Sequence, residues 1–169
     1  MDTAAKPITL ADSGVTRYSI VLPPDVIPSE TYAATELQRF LGEVTGAEFG
    51  ITSAGSSLHT ILLGVGPHCA PFLHDVDTSS LGGEEFVIRT VGDCLVIAGG
   101  RPRGTLHGVY CFLEHTVGCR WFTQDVSHIP KYDTLSIDPI DIRVQPSLEY
   151  REVFYWEAFD GDWAARHRL

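Results

Sequence analysis

A chain of 169 residues, 44% apolar and 20% charged, is long and hydrophobic enough to bury one core without disulfide or metal staples. Its net charge is −10, with 22 dispersed acidic residues, a balance that repels phosphate backbones and anionic membrane surfaces; neither a nucleic-acid nor a membrane partner is expected. The four cysteines, Cys69, Cys94, Cys111 and Cys119, form no CxxC pair, which argues against zinc-ribbon and thioredoxin-type chemistry and leaves them as free, small core residues.

No apolar run reaches the roughly 20 residues of a membrane span. Met1 to Lys6 has no hydrophobic region, so no signal peptide is visible and the compartment stays open; a secreted or periplasmic parent protein is compatible with this. Arg17 to Leu22 alternates and stops at Pro23-Pro24, which predicts an opening strand. A first helix is predicted from Glu30 to Thr45, capped by Ser29 and stopped by Gly46, with Ala33, Leu37, Phe40, Leu41 and Val44 on one apolar face and Glu36, Arg39 and Glu43 toward solvent. Short strands are expected at Glu48 to Thr52 and Thr60 to Leu63, separated by a turn at 54–57, and the stretch from Gly64 to Gly83 reads as a long loop.

Glu85 to Val91, Gly92-Asp93 and Cys94 to Ala98 spell a hairpin with a type II′ turn. Leu95 to Ala98 leaves neither face polar, the pattern of a strand covered on both sides. A second helix is predicted from Thr105 to Val117, with Arg120 to Phe122 and Leu135 to Ile137 as further short strands. Pro139 to Pro146 has the composition of an extended linker, and Leu148 to Phe159 begins an aromatic strand before a helix near Asp162-Trp163-Ala164. The domain reading is therefore 1–138, an α/β (α+β) unit with a mixed sheet under two main helices; 139–147, a linker; and 148–169, the first strand and helix start of a truncated (β/α)8 barrel.

Chemistry-bearing patterns are sparse. There is no GxSxG elbow and no HExxH pair, so serine-hydrolase and zincin chemistry have no support. His107, Cys111 and His115 recur every four residues on the second helix, but the outer two are about 12 Å apart and cannot share an ion. Their stripe lies off the apolar one and is expected in solvent; no metal and no cofactor are expected. Asp160 and Asp162 read as helix caps through Trp163 rather than a catalytic pair. Glu152 and Glu157, five apart on the expected strand, point to opposite faces. Arg101 and Arg103 precede a helix N-terminus, where they either hold an anion such as a carboxylate-bearing sugar or pair with local carboxylates. Trp156 stands among Tyr150, Phe154, Tyr155, Phe159 and Trp163, aromatics that suit either sugar stacking or a core.

The succession AATELQRFLGEVTG, EEFVIRTVGDCLVIAGG, RPRGTLHGVYCFLEHTVGCRWF and a proline-bounded stretch resembles the N-terminal domain that precedes the catalytic barrel in α-glucuronidases and β-N-acetylhexosaminidases, and in related bacterial carbohydrate-active proteins. The resemblance runs from about Ile20 to Leu169. It implies a mixed sheet with packed helices and a following (β/α)8 barrel whose catalytic carboxylates lie on later strands, outside this sequence. It also implies that Tyr150-Arg151 occupies the place of a Tyr-Arg pair whose arginine binds sugar hydroxyls, although Glu152 stands where the family has a small residue.

The function expected is a non-catalytic accessory domain of a glycoside hydrolase, with the catalytic barrel as its partner and Arg151, Arg101, Arg103 and Trp156 as candidate carbohydrate contacts. The alternatives are a carbohydrate-binding module recognising oligosaccharide or uronate, and a small enzyme using the His107 and Cys111 face.

Overall fold

The computed structural model describes residues 6–53, 59–148 and 150–169. The turn expected at 54–57 and most of the leading Met1 to Lys6 stretch lie outside the described residues. In chain order the strands are β1 (Ile8–Asp12), β2 (Ser19–Val21), β3 (Gly50–Thr52), β4 (Thr60–Leu63), β5 (Phe86–Val91), β6 (Cys94–Gly99), β7 (Arg120–Trp121), β8 (Ser127–His128), β9 (Thr134–Ile137) and β10 (Asp141–Val144). The α-helices are α1 (Pro28–Thr45), α2 (Gly104–Phe112) and α3 (Gly161–Arg166).

Six strands form a mixed sheet in the order β10–β5–β6–β4–β2–β3. β3, β2, β4 and β6 run parallel, while β5 and β10 are antiparallel additions. The β5–β6 hairpin has the expected two-residue turn, with Val91 opposite Cys94 and Gly92 at φ 57°. One face of the sheet, with Ile20, Ile61, Leu63, Phe86, Ile88, Leu95 and Ile97, packs under α1 and α2. The other face, with Val21, Leu62, Val87, Val96 and Ala98, is covered by Cys69, Leu73 and Leu81 of the long 64–83 segment. Two covered faces explain why every residue of β6 is buried and none of Leu95 to Ala98 is polar.

α1 starts earlier than predicted. Pro28, with φ already fixed, opens the first turn, so Ser29 sits inside the helix and its hydroxyl donates to the Pro102 carbonyl instead of capping. The Glu30 carboxylate accepts the Ile27 N–H at 3.0 Å, and Gly46 at φ 73° ends the helix. The five predicted apolar positions are all buried. Glu36 does not face solvent: it is 4% exposed and accepts hydrogen bonds from Tyr110 Oη at 3.0 Å and Arg39 Nη1 at 3.2 Å. Periodicity places it beside the apolar stripe, but only the α1–α2 packing supplies partners that make burial of a carboxylate tolerable.

The second helix spans the predicted range as α2 plus a wider five-residue turn at Leu113–Val117, closed by the Gly118 N–H on the Leu113 carbonyl at 3.0 Å. Its His107–Cys111 side is not in solvent. His107 is 2% and Cys111 9% exposed, because α2 lies against β5, β6, α1 and the end of the chain, so all nine of its residues are buried. His115 alone of the three stays exposed. The four cysteines are buried, and none is in a disulfide among the described residues.

β1, which carries no strong pattern of its own, pairs antiparallel with β9, Ile8 opposite Ile137. Within the expected linker, Asp141–Val144 is extended and hydrogen-bonded along β5 as the sheet's edge strand, so these residues belong to the sheet and satisfy backbone groups that β5 would otherwise leave open. Phe122, expected in a strand, lies outside β7 and is 60% exposed. No strand forms among the described residues of 148–159; Trp156–Phe159 is instead a single 3₁₀ turn. A strand exists only with a paired neighbour, and this segment has none. The opposite-face argument for Glu152 and Glu157 therefore does not arise. Asp160 caps α3 as the spacing predicts, accepting the Trp163 N–H at 2.7 Å.

Candidate functional site

The described part of 148–169 meets the sheet's end at a cleft of about 350 Å³ lined by Glu84, Arg103, Arg151, Phe154 and Phe159. Glu84 comes from the turn leading into β5, Arg103 from the residue preceding α2, and Arg151 from the segment beyond β10. The Glu84 carboxylate accepts from Arg103 through one oxygen and from Arg151 through the other. Arg103 also donates to the Leu169 carbonyl at 3.1 Å. Arg151 donates to the Leu148 carbonyl at 2.6 Å, and through Nε and Nη2 to the Arg168 carbonyl at 3.2 and 3.1 Å. A guanidinium carries five N–H donors, so these contacts occupy most of the Arg151 fork.

The result is an ionic clamp fastening both ends of the closing segment to the sheet. Its neighbour Glu85 works in the opposite direction, accepting from Arg143 of β10 at 2.6 Å and from the Gly82 N–H at 3.0 Å. Burial pushes the Glu84 carboxyl up, but the Arg151 hydrogen bond and the Arg103 charge outweigh it and hold the group below its usual range. The Glu114 carboxyl is likewise held low, against burial, by Arg168 at 2.7 Å.

Of the residues singled out from sequence, Arg103 and Arg151 share this cleft and Arg101 does not. Arg101 turns to the start of α1, donating to Asp25 Oδ2 at 2.8 Å and to both oxygens of buried Glu30 at 3.1 Å. Thus both arginines flanking Pro102 pair with carboxylates brought in from distant parts of the chain. Trp156 does not line the cleft; it is 80% exposed, with cleft residues Phe154 at 91% and Phe159 at 71%. Phe159 meets Phe154 edge-on with centroids 5.9 Å apart and lies tilted to Trp156 at 6.3 Å. Sequence reasoning passed over Glu84 and Arg168; the acidic pair Glu84-Glu85 placed directly before an apolar strand was the only available signal. Among the described residues no His, Cys, Asp and Glu group has metal-site geometry, and no helix is long and apolar enough to cross a membrane.

Glu84→Gln keeps the shape of the clamp and removes its charge. Discounting for the half-exposed Arg103, the expected cost is about 1 kcal/mol, read as faster amide exchange across 150–169 with β6 unaffected. Because the folded pKa of Glu84 lies below its unfolded value, the clamp's contribution is full above the unfolded value and fades as pH falls through the folded one. Wild-type protection factors in this segment, exchange rates taken relative to the unprotected amide at the same pH, should therefore fall once pH drops below the ordinary glutamate value of about 4.3, while the Glu84→Gln variant should show less of that dependence.

A mixed sheet under two helices is the fold of an N-terminal domain of glycoside-hydrolase-like proteins. The chain belongs to the family described as glycosyl hydrolase family 67 N-terminus, whose model matches residues 15–112. Among curated proteins, no sequence relative is found. Similar solved structures include a family GH115 4-O-methyl-α-glucuronidase with specificity for decorated arabinogalactans, at 17% identity and TM-score 0.62, covering 85% of this chain and 19% of that one. The N-acetyl-β-hexosaminidase of Streptomyces plicatus matches at 14% identity and TM-score 0.57, covering 88% of this chain and 25% of that one. The exo-β-N-acetylglucosaminidase of Vibrio harveyi matches at 13% identity and TM-score 0.54, covering 88% and 18%. At these identities the likeness is one of fold, and this chain spans a quarter or less of each enzyme's length.

Proposed function

We propose that this chain is a non-catalytic accessory domain of a glycoside hydrolase, acting on carbohydrate only through a (β/α)8 barrel that begins at residues 148–169. The observation that carries the reading is the family match itself, to a region defined as N-terminal to the rest of a glycosyl hydrolase. The exposed aromatic surface supports it. Leu148, Tyr150, Phe154, Trp156 and Phe159 are each at least 65% exposed, although they cluster on one short segment. A contiguous apolar surface of this kind marks an interaction site, and further barrel strands are the occupant proposed. Arg151 and Trp156 then lie at the edge of the barrel's substrate cleft, Arg103 supports Arg151 through Glu84, and Arg101 is structural.

The test compares this chain with the longer parent protein on a panel of chromogenic glycosides and uronides. The parent should hydrolyse a member of the panel and the chain alone should hydrolyse none; turnover by the chain alone overturns the accessory role. The exposure of Trp156 beside Phe154 and Phe159 favours one other reading, a carbohydrate-binding module. Saturable oligosaccharide-induced shifts at the Trp156 indole in the isolated chain would establish that reading instead.

A further inference from the structure

The mixed sheet ends on β10, and the phase of the hydrogen-bond ladder tells which of its backbone groups are unused. The Gly100 N–H donates to the Glu85 carbonyl at 2.9 Å, and the Thr90 N–H to the Ile140 carbonyl at 2.8 Å. Antiparallel ladders alternate, so odd-numbered residues of β5 bond toward β6 and even-numbered ones toward β10. Ile142 and Val144 therefore turn their backbone groups to Ile88 and Phe86. The N–H and C=O of Asp141 and Arg143 point off the edge, where no partner meets them among the described residues.

The side chains of that edge are open as well. Asp141 and Arg143 share one face of the strand. Asp141 accepts from Arg89 Nε through Oδ1 at 2.9 Å, and its Oδ2 has no partner among the described residues. Arg89 also pairs with Asp75, so two carboxylates face one guanidinium and negative charge is left over. Arg143 donates through Nε alone, to Glu85 at 2.6 Å, and its half-exposed side chain keeps both Nη groups free among the described residues. On the opposite face Ile142, 41% exposed, walls an apolar cleft of about 640 Å³ together with Phe86 and Val144.

An acceptor and a donor two residues apart on an open edge are self-complementary. When a second copy runs antiparallel with Ile142 opposite Ile142, Asp141 of each copy stands opposite Arg143 of the other. Both are hydrogen-bonded pairs of the new ladder, so the outward backbone groups are satisfied in the same arrangement. Opposite charges facing across strands attract, and the two isoleucines meet at the closer, non-hydrogen-bonded spacing. Centring the pairing on Asp141 or on Arg143 instead sets like charges face to face, which is destabilising. Edges that resist association carry like charges or prolines within the strand. Pro139 and Pro146 lie outside β10, so they limit the length of the pairing without blocking it.

We propose that β10 is a self-association edge: two copies of this chain join across a two-fold axis at Ile142, Asp141 pairing with Arg143 twice, and the sheet continues from one copy into the other. An edge of four residues buries less than the about 1,200 Å² of a standard interface, so the dimer is weak and forms as concentration rises. The inference does not depend on the glycoside-hydrolase reading, since every group in it belongs to this chain.

Sedimentation velocity over about a hundredfold range of chain concentration should show the mass rising from one chain toward two. Amide exchange on the same samples should show the Asp141 and Arg143 N–H groups gaining protection with concentration, while Ile142 is protected throughout. Asp141→Lys and Arg143→Glu each set like charges opposite one another in the homodimer and should weaken association at least about tenfold. Mixed in equal amounts, the two variants restore opposite charges at both pairs and should associate again, a rescue that loss of folding could not produce. A mass that stays at one chain, association without protection at Asp141 and Arg143, or a mixture no more associated than its components would each overturn the proposal. Association untouched by either variant would do so too, and would move the contact to the aromatic surface around Trp156.

Discussion

Gly100→Ala should destabilise the chain by about 4 kcal/mol or more and pull its urea midpoint well below that of the wild type. Gly100 lies where β6 hands over to the turn before α2, and a Cβ built there would stand 2.1 Å from the Gly82 carbonyl oxygen and 2.5 Å from that of Leu81. Both obstacles are backbone, on the turn that also carries Glu84 and Glu85, so relief requires moving the start of β5 away from β6. The Gly100 N–H donates to the Glu85 carbonyl at 2.9 Å, and that bond is lost with the movement. Overpacking against backbone belongs to the few mechanisms that cost about 4 kcal/mol or more. Set against a total stability of about 5–15 kcal/mol, that is a large share. Gly161→Ala is the control: no atom lies within 4 Å of its Cβ, and loss of unfolded-state freedom should leave it neutral or slightly stabilising. Urea midpoints for the two variants check the contrast, and a Gly100→Ala midpoint close to wild type would refute it.

The second large effect is local rather than global. Trp163 is 2% exposed, stacks on His167 with centroids 3.7 Å apart and meets Tyr155 edge-on at 5.3 Å. Around it Tyr32 donates to Asp162 at 2.7 Å, and Arg166 lies 5.7 Å over the Phe40 ring and 3.4 Å from Glu36. Removing the indole as Trp163→Ala should cost about 3–5 kcal/mol. A six-residue helix does not persist without such packing, so α3 is expected to melt while the sheet remains folded. Amide exchange should reach unprotected rates across 161–169 and stay slow in β6; loss of protection in both together would contradict this. The indole N–H has no partner, so Trp163→Phe gives up volume alone and should cost only about 1–2 kcal/mol.

These two residues also divide what can be read along the chain from what cannot. The tight β6–α2 turn is announced by Gly99-Gly100 and Gly104, and the cap of α3 by the spacing of Asp160 and Trp163. The hairpin, both main helices and the doubly covered β6 follow from period, turn chemistry and stop signals that act within a few residues. The clamp is not local in this way. Glu84, Arg103 and Arg151 are brought together from three separate elements, and nothing near Arg151 in sequence names its partner. The same holds for Glu36 and His107, whose burial is decided by what packs on them rather than by helical phase.

By itself, then, the sequence determined the α/β class, the order of the main elements and the family resemblance, because each rests on short-range pattern. Only the tertiary structure decided that 141–144 completes the sheet and that the described residues of 148–159 form no strand. Pairing depends on which edges are open in three dimensions. It also decided that Arg101 is tied to α1 while Arg103 and Arg151 meet on one carboxylate, since long-range charge pairing leaves no periodic trace in the chain.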